Sequence, residues 1–417
     1  MIVAKSLSKN TLLFPITTWL SSRLLIWVAM LIIAPLLPAP PNGIAASFGL
    51  GVFDGWDTIH FRAIATSGYS YIDGKGNIAF FPLYPLLIHG LGSLGLSFEV
   101  AGVLISNLAF LGTVCLLYVW VKDNHSDYTA RWTVAIACLF PTSVFATTIY
   151  TEALYLLLST ATLQAFDQKR YAWTSFCGAL ATATRPTGIA LIPALILAAW
   201  KQRRPPIAYL AALATATGLI LFSLYCAIQF SDPLAFINGQ KAWRPTFGFD
   251  WSSWWKMLMQ ICIGTANWKH GGIKEPLHPL IFSLIAICTS LLWYFRHRVT
   301  PAQRDYGFGI LFLALWLLAG DPFLNTLVVL GGVYLLWHYR QQLTPVTLFY
   351  GLAGFGILIF SGKAWSLTRL VFGIISPIIA FGILLSRHPR WGYMSLGFCG
   401  LLLVIFGIRF AQDLWVG

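Results

Sequence analysis

Apolar residues run in long stretches from one end of the chain to the other, separated by short polar turns. The stretches cover residues 11–37, 99–121, 132–148, 150–166, 172–184, 187–200, 207–230, 278–295, 307–319, 322–338, 344–361, 369–386 and 391–411. A helix needs about 20 such residues to cross a bilayer, so most of these read as spans. Two pairs, 172–184/187–200 and 307–319/322–338, are too short singly. They predict broken helical hairpins with polar apices at Arg185-Pro186-Thr187-Gly188 and Gly320-Asp321-Pro322, where proline and glycine interrupt the helix. Such breaks are tolerated at membrane depth where protein or water satisfies the freed backbone groups. The pattern as a whole predicts an all-α polytopic membrane protein of about 11–13 transmembrane or half-spanning helices, forming one domain over residues 1–417. The first stretch carries no signal-peptidase pattern and reads as a retained helix.

Composition sharpens this. Hydrophobic residues make up 58% of the 417 positions and charged residues only 10%, with a mean hydropathy of +0.73. A soluble domain is about 45–50% apolar and about 25% charged. The net charge of +13 sits in short turns between apolar stretches, which points to membrane topology and away from nucleic acid. Lys5, Lys9, Lys122, Arg131, Lys169, Arg170, Lys201, Arg203, Arg204, Arg296, Arg298, Arg304, Arg340, Arg387 and Arg390 fall on one set of turns, opposed only by Asp123, Asp127, Asp167 and Asp305. By the positive-inside rule that face is cytoplasmic, with the amino terminus inside and the carboxyl terminus outside. Arg23 is expected to snorkel to the cytoplasmic surface. The seven cysteines show no paired spacing and read as small buried hydrophobes.

The other face holds two long loops, 38–98 and 231–277, and most of the carboxylates. In the second, Trp251, Trp254, Trp255, Leu258 and Cys262 follow helical spacing, which predicts an interfacial amphipathic helix. In the first, Phe53-Asp54-Gly55-Trp56-Asp57-Thr58-Ile59-His60-Phe61-Arg62 stands out. If residues 54–66 are helical, Asp54, Asp57 and His60 share one face. A carboxylate beside histidine can act as a base, position a hydroxyl or hold a metal; a merely solvated polar face is the competing reading. The aromatic residues crowded around these acids favour a site.

The order Trp56-Asp57-x-x-His60-Phe61, Ile64-Ala65-x-x-Gly68-Tyr69-x-Tyr71 and Ala79-Phe80-Phe81-Pro82-x-x-Pro85 resembles the PIG-V family of membrane mannosyltransferases, of the GT-C class. The likeness continues through Ser22-Arg23-Leu24, Phe140-Pro141-x-Ser143-x-Phe145, Tyr150-x-Glu152-Ala153-Leu154, Arg185-Pro186-Thr187-Gly188, Asp232-Pro233-Leu234-Ala235-Phe236, Gln240, Trp243 and Ser366-x-x-Arg369. Departures are Ile72, where the family often has an acid, with Asp73 displaced after it, and Leu370, where it has tyrosine.

The resemblance implies a GT-C-type bundle that moves a sugar, usually mannose, from a polyprenyl- or dolichyl-phosphate donor to a lipid-linked or glycan acceptor. It implies Asp57 as the base of an inverting transfer, tuned by Asp54 or His60. Arginine forks match phosphate oxygens, so Arg185 and Arg369 are the candidate donor-phosphate contacts; a hairpin-apex role for the first and a headgroup anchor for the second are the structural alternatives. Glu152, an ionisable residue inside a span, and Asp232, Gln240 and Trp243 are expected to line the substrate site. No cofactor is implied, although the residues alone leave a divalent ion at Asp54, Asp57 and His60 open. The expected location is the plasma membrane of a prokaryote, or the endoplasmic reticulum of a eukaryote, with the site on the external or lumenal face. A transporter or flippase of a lipid-linked sugar is the main alternative, and a scaffold subunit with a decayed site is a third.

Overall fold

The structure is a computed structural model that describes residues 12–72, 75–241, 248–362 and 364–416. Trp243, Asp73, Lys5 and Lys9 lie outside the described residues.

Among the described residues almost all regular structure is helical, apart from a two-stranded hairpin, Tyr71–Ile72 against Lys75–Gly76. Five helices are long and apolar enough to cross a membrane: Leu13–Leu36, Phe98–Asn124, Pro206–Phe230, Leu277–Tyr294 and Pro389–Ala411. The protein is a multi-pass membrane protein. Helix Leu277–Tyr294 shows why: Ile285 is its one buried residue, while Leu280, Leu284, Ile287 and Leu291 face outward. So large an apolar face is at rest only against lipid or another apolar surface.

The centre is built from Phe98–Asn124 with Asp127–Leu139 and Glu152–Asp167 both packed on it, Tyr171–Thr184 against the last and Ile375–Arg387 against the second. Small residues let these helices approach closely. A Cβ at Gly382 would meet the Thr133 hydroxyl at 2.0 Å, and one at Gly112 would meet Leu157 at 3.0 Å. Interfacial helix Trp251–Ile263 forms over the expected residues, capped by Asp250. Its inner stripe, however, is Trp254, Met257 and Ile261, while Trp251, Trp255 and Leu258 face outward. Apolar residues on two faces suit a helix set between protein and bilayer surface.

The polar interruption at Arg185 is present, but its two flanking helices do not form a close hairpin. Helix Tyr171–Thr184 ends there, a tight turn over Pro186–Ala190 folds back on Thr182, and Leu191–Lys201 leaves to pack on Pro345–Phe360. Proline and glycine set the break, but packing partners elsewhere set the angle. At Gly320, φ of +59° marks the second break, between Pro301–Ala319 and Asp321–His338.

Arg23 corrects an expectation. It does not snorkel; it is fully buried. Its guanidinium donates to the carbonyls of Ser143 (3.1 Å) and Cys138 (3.2 Å) and to the hydroxyls of Thr147 (2.6 Å) and Ser143 (3.1 Å), and it lies over the Phe110 ring. The reason is the break at Phe140-Pro141. There Asp127–Leu139 ends and a 3-10 turn, Pro141–Ala146, begins, which frees the carbonyls of Cys138 and Ser143 from the helical ladder; the Ser143 hydroxyl reaches the first of them at 2.8 Å. Five donors in a rigid fork satisfy them.

Replacing Arg23 with Met keeps the bulk and removes the donors. The expected outcome is a loss of about 2–5 kcal/mol of stability, read by denaturant or thermal unfolding in detergent; Arg23→Lys is expected to fall between.

Candidate active site

Four chain segments converge at one end of the bundle. The first is the turn before helix Thr58–Ser67. The 3-10 turn Leu50–Phe53 ends at Asp54, and the left-handed backbone of Trp56, φ +56°, then swings Asp57 into the N-cap position. Thr58 closes the turn by donating to the Gly55 carbonyl at 2.7 Å. The Asp57 side chain does not cap its own helix. It reaches Arg369 instead, whose Nη1 donates to Asp57 Oδ2 at 2.9 Å.

Arg369 comes from the short helix Leu367–Phe372. Its Nε donates to Glu152 Oε1 at 2.5 Å. Glu152 opens helix Glu152–Asp167, so its carboxylate sits at the positive end of that helix. The same Oε1 receives Arg185 Nη1 at 2.6 Å, and Arg185 also donates to the Thr151 hydroxyl at 3.0 Å. The result is a continuous chain, Asp57–Arg369–Glu152–Arg185, of alternating charge and zero net charge. Its exposure is graded: the Glu152 side chain is 1% accessible, Arg185 12%, Arg369 14% and Asp57 26%. Glu152 Oε2 is buried with no hydrogen-bond partner among the described residues, which leaves an acceptor at the base of the site.

Tyr150 braces the arrangement. Its hydroxyl donates to the Gly55 carbonyl (3.1 Å) and accepts from the Asp57 backbone N–H (3.2 Å). Its ring, with that of Phe145, lies under the Arg369 guanidinium at 4.5 and 4.8 Å. A cation held over two ring faces is stabilised electrostatically without the carboxylates' help. Sequence reasoning missed Tyr150, Thr151 and Phe145 as site residues, although Tyr150 and Phe145 lay in motifs. The usable signal was an aromatic residue two positions before an intramembrane acid.

The expectation that Asp54, Asp57 and His60 share a helical face is overturned. The helix begins at Thr58, so Asp54 lies before it and pairs with Arg62. Arg62 also donates to Glu99 at 2.8 Å and lies over Phe98. Asp54 thus fastens the loop to the start of Phe98–Asn124. His60 stacks on Phe80 at 4.5 Å, its ring nearly parallel. Burial lowers its pKa below the ordinary 6.5, and the Asp57 charge only partly restores it, so the neutral ring is favoured. Among the described residues no group of three or more His, Cys, Asp or Glu is arranged to hold a metal ion.

Asp232 and Gln240 join the two long loops. Asp232 accepts from Tyr71 (3.0 Å), Asn238 (2.9 Å) and the Leu234 N–H (2.9 Å). These bonds hold its carboxyl below the usual range. Gln240 donates to the Ala79 carbonyl at 2.9 Å.

Comparison with known proteins follows the same outline. A sequence model of the family described as Mannosyltransferase (PIG-V) matches residues 21–238. That range contains Asp57, Glu152 and Arg185 but not Arg369. GPI alpha-1,6-mannosyltransferase 2 of Cricetulus griseus is 27% identical over 262 residues, 54% of this chain and 52% of that protein. The human protein of the same name is 32% identical over 152 residues, 34% of this chain and 30% of its own length. The chain spans about half the length, or less, of these curated relatives. Among solved structures, ArnT from Cupriavidus metallidurans bound to undecaprenyl phosphate superposes with a TM-score of 0.52 at 12% identity, over 92% of this chain and 62% of that one. The fold is therefore of the GT-C type.

The His60 environment predicts a pH effect. Above about pH 6.5 the ring is neutral whether the chain is folded or not, and stability there is independent of it. Below 6.5 the unfolded ring takes up a proton that the folded one resists, so stability falls. Unfolding in detergent between pH 7.5 and 5 is expected to show a steeper loss for wild type than for His60→Phe.

Proposed function

The chain belongs to the mannosyltransferase (PIG-V) family, and on that footing we propose that it moves a mannosyl group from a polyprenyl-phosphate donor to a lipid-linked or glycan acceptor. Family membership favours this over a flippase. The observation that carries the residue assignment is the chain Asp57–Arg369–Glu152–Arg185, in which one buried carboxylate holds two guanidinium groups and one of them reaches the more exposed acid.

The donor's phosphate is an anion whose charge grows as the sugar leaves. Arg185 and Arg369 are the cations for it. Glu152 fixes both through one oxygen, and each guanidinium keeps further N–H groups for phosphate oxygens. Glu152 is thus a positioning residue, and the preset cations need no reorganisation during the reaction. Asp57 takes the proton of the acceptor hydroxyl. That oxygen forms its bond to the anomeric carbon as the bond from carbon to phosphate oxygen breaks, and the phosphate keeps the electron pair. One displacement inverts the anomeric centre. A carboxylate has about four lone-pair sites, so the bond to Arg369 leaves Asp57 able to accept a proton. His60 lies alongside as a neutral ring, and Asp232 and Gln240 hold the loops that border the site on the acceptor side.

The four site residues lie at helix ends opposite the basic turns. At that other end Arg131 and Lys122 pair with Asp127, Trp120 donates to Asp167, and Arg387 bonds Gln342. The positive-inside rule then puts the site on the external or lumenal face, and the amino terminus in the cytoplasm. The membrane is the plasma membrane in a prokaryotic host and the endoplasmic reticulum in a eukaryotic one. The donor's isoprenoid tail would lie in lipid beside the site.

Purified protein in lipid nanodiscs, with radiolabelled polyprenyl-phosphate mannose and a lipid extract as acceptor, tests the reading; no transfer by wild type would reject it. Asp57→Asn is expected to lower turnover by about 10²–10⁴-fold with little change in donor KM. Arg185→Lys keeps the charge but loses the fork, and is expected to raise donor KM by about 10–100-fold.

A further inference from the structure

Two half-exposed tryptophans flank the catalytic turn and take no part in the chemistry just described. Trp56, directly before Asp57, is 38% exposed, and Trp415 is 48% exposed. Their ring centroids are 5.2 Å apart with planes at 87°, so the two rings form a right-angled corner at the turn that bears Asp57. Building on the transferase reading, we propose that this corner is the acceptor subsite and that it binds a hexopyranose ring.

The chemistry follows from what each group can hold. The guanidinium groups are committed to an anion, so the donor phosphate lies on the Arg369 and Arg185 side of Asp57. The acceptor must put a hydroxyl against Asp57 itself, and the next residue is Trp56. A pyranose presents one face of polarised C–H groups and a rim of hydroxyls. An indole ring offers the complementary electron-rich face, a large rigid area and an N–H at its edge. With two indoles at right angles, one face is available to the sugar ring while the other meets its edge. This fixes which hydroxyl points at Asp57, and so fixes linkage.

Membrane-surface anchoring is the ordinary use of exposed tryptophan in such a protein. Three features here go beyond it. Trp56 occupies φ +56°, uncommon for a bulky residue and retained where the surroundings over-determine it. An anchor on a helix face needs no such turn. The segment that carries Trp415 is fastened: Gln412 Nε2 donates to the Pro38 carbonyl (3.1 Å), the Ile44 N–H donates to the Gln412 carbonyl (2.9 Å), the Leu414 N–H donates to the Arg409 carbonyl (2.8 Å), and Arg409 Nη2 donates to the carbonyl of Trp415 itself (2.7 Å). Finally, Phe410, in the last turn of helix Pro389–Ala411, stands against Gly55 and Tyr150, so the helix end that leads to Trp415 is packed on the turn bearing Asp57. The platform and the carboxylate therefore keep a fixed spacing.

Two readouts in nanodiscs free of sugar-based detergent test this. The first is steady-state transfer. Trp415→Leu is expected to raise acceptor KM by about tenfold while donor KM stays within about twofold, with Trp415→Phe close to wild type. Trp293→Leu, an outward-facing tryptophan elsewhere, is the control and is expected to change neither. The second is saturation-transfer NMR with methyl α-D-mannopyranoside, which needs no turnover. Signal is expected from wild type and from Asp57→Asn, and loss of it from Trp56→Leu/Trp415→Leu. Unchanged acceptor KM in Trp415→Leu, or equal NMR signal in wild type and the double variant, overturns the proposal. So does absence of signal from wild type. A protein that gives the expected NMR pattern yet transfers no sugar would sink the transferase reading and leave the sugar platform standing.

Discussion

A carboxylate with almost no access to solvent must be paired, and Glu152 is that carboxylate. Taking one charge of a buried pair away costs about 3–5 kcal/mol, because the survivor is left uncompensated. Glu152 is matched by two cations through a single oxygen, so both Arg185 and Arg369 are bound to its position. Everything else in the site is arranged around this. Arg369 has charge to spare and extends it to Asp57. Tyr150 fixes the backbone on which Asp57 sits. The aromatic bed under Arg369 lets a cation rest in an otherwise apolar setting.

The bundle explains how these groups meet. Glu152 begins one helix, Arg185 follows the end of the next, Arg369 lies in a short helix far along the chain, and Asp57 precedes a loop helix. Each sits at or close to a helix end; Pro186 follows Arg185, and left-handed Trp56 and Ser366 come just before Asp57 and the short helix of Arg369. Helix ends free backbone groups and point them at one place, so they are where polar side chains can be kept inside a membrane protein. Arg23 is the same principle used for stability: a buried guanidinium repairs one break so that the segment bearing Phe145 and Tyr150 holds its shape.

Much of this was legible in the sequence. Apolar stretches of span length point to the class, and most appear as helix, although 132–148 breaks at Phe140-Pro141 and 369–386 breaks at Gly373. Asp57, Glu152, Arg185 and Arg369 stand out because ionisable groups among apolar residues require a reason. What pattern reading lacked was partnership. Asp54 was grouped with Asp57 on helical spacing, yet the helix starts four residues after it, because Gly55 and Trp56 form a turn that a periodicity argument does not register. Arg62, not His60, is the partner Asp54 finds. Arg23 looked like a snorkelling residue because its distance from the cytoplasmic end allowed it; only the freed carbonyls at Pro141, 118 positions away, decide the matter. Arg369 and Asp57 lie 312 residues apart, a pairing that no local spacing encodes.

The central claim is that Arg185 and Arg369, held by Glu152, receive the donor's phosphate beside Asp57. Its most direct test is an electron cryo-microscopy structure of the protein in nanodiscs with a bound polyprenyl phosphate. The account predicts phosphate oxygens within about 3 Å of both guanidinium groups, with Glu152 still between them and Asp57 facing the space next to the phosphate. A phosphate bound elsewhere, with Arg369 still bonded to both Glu152 and Asp57 as in the free protein, would contradict it.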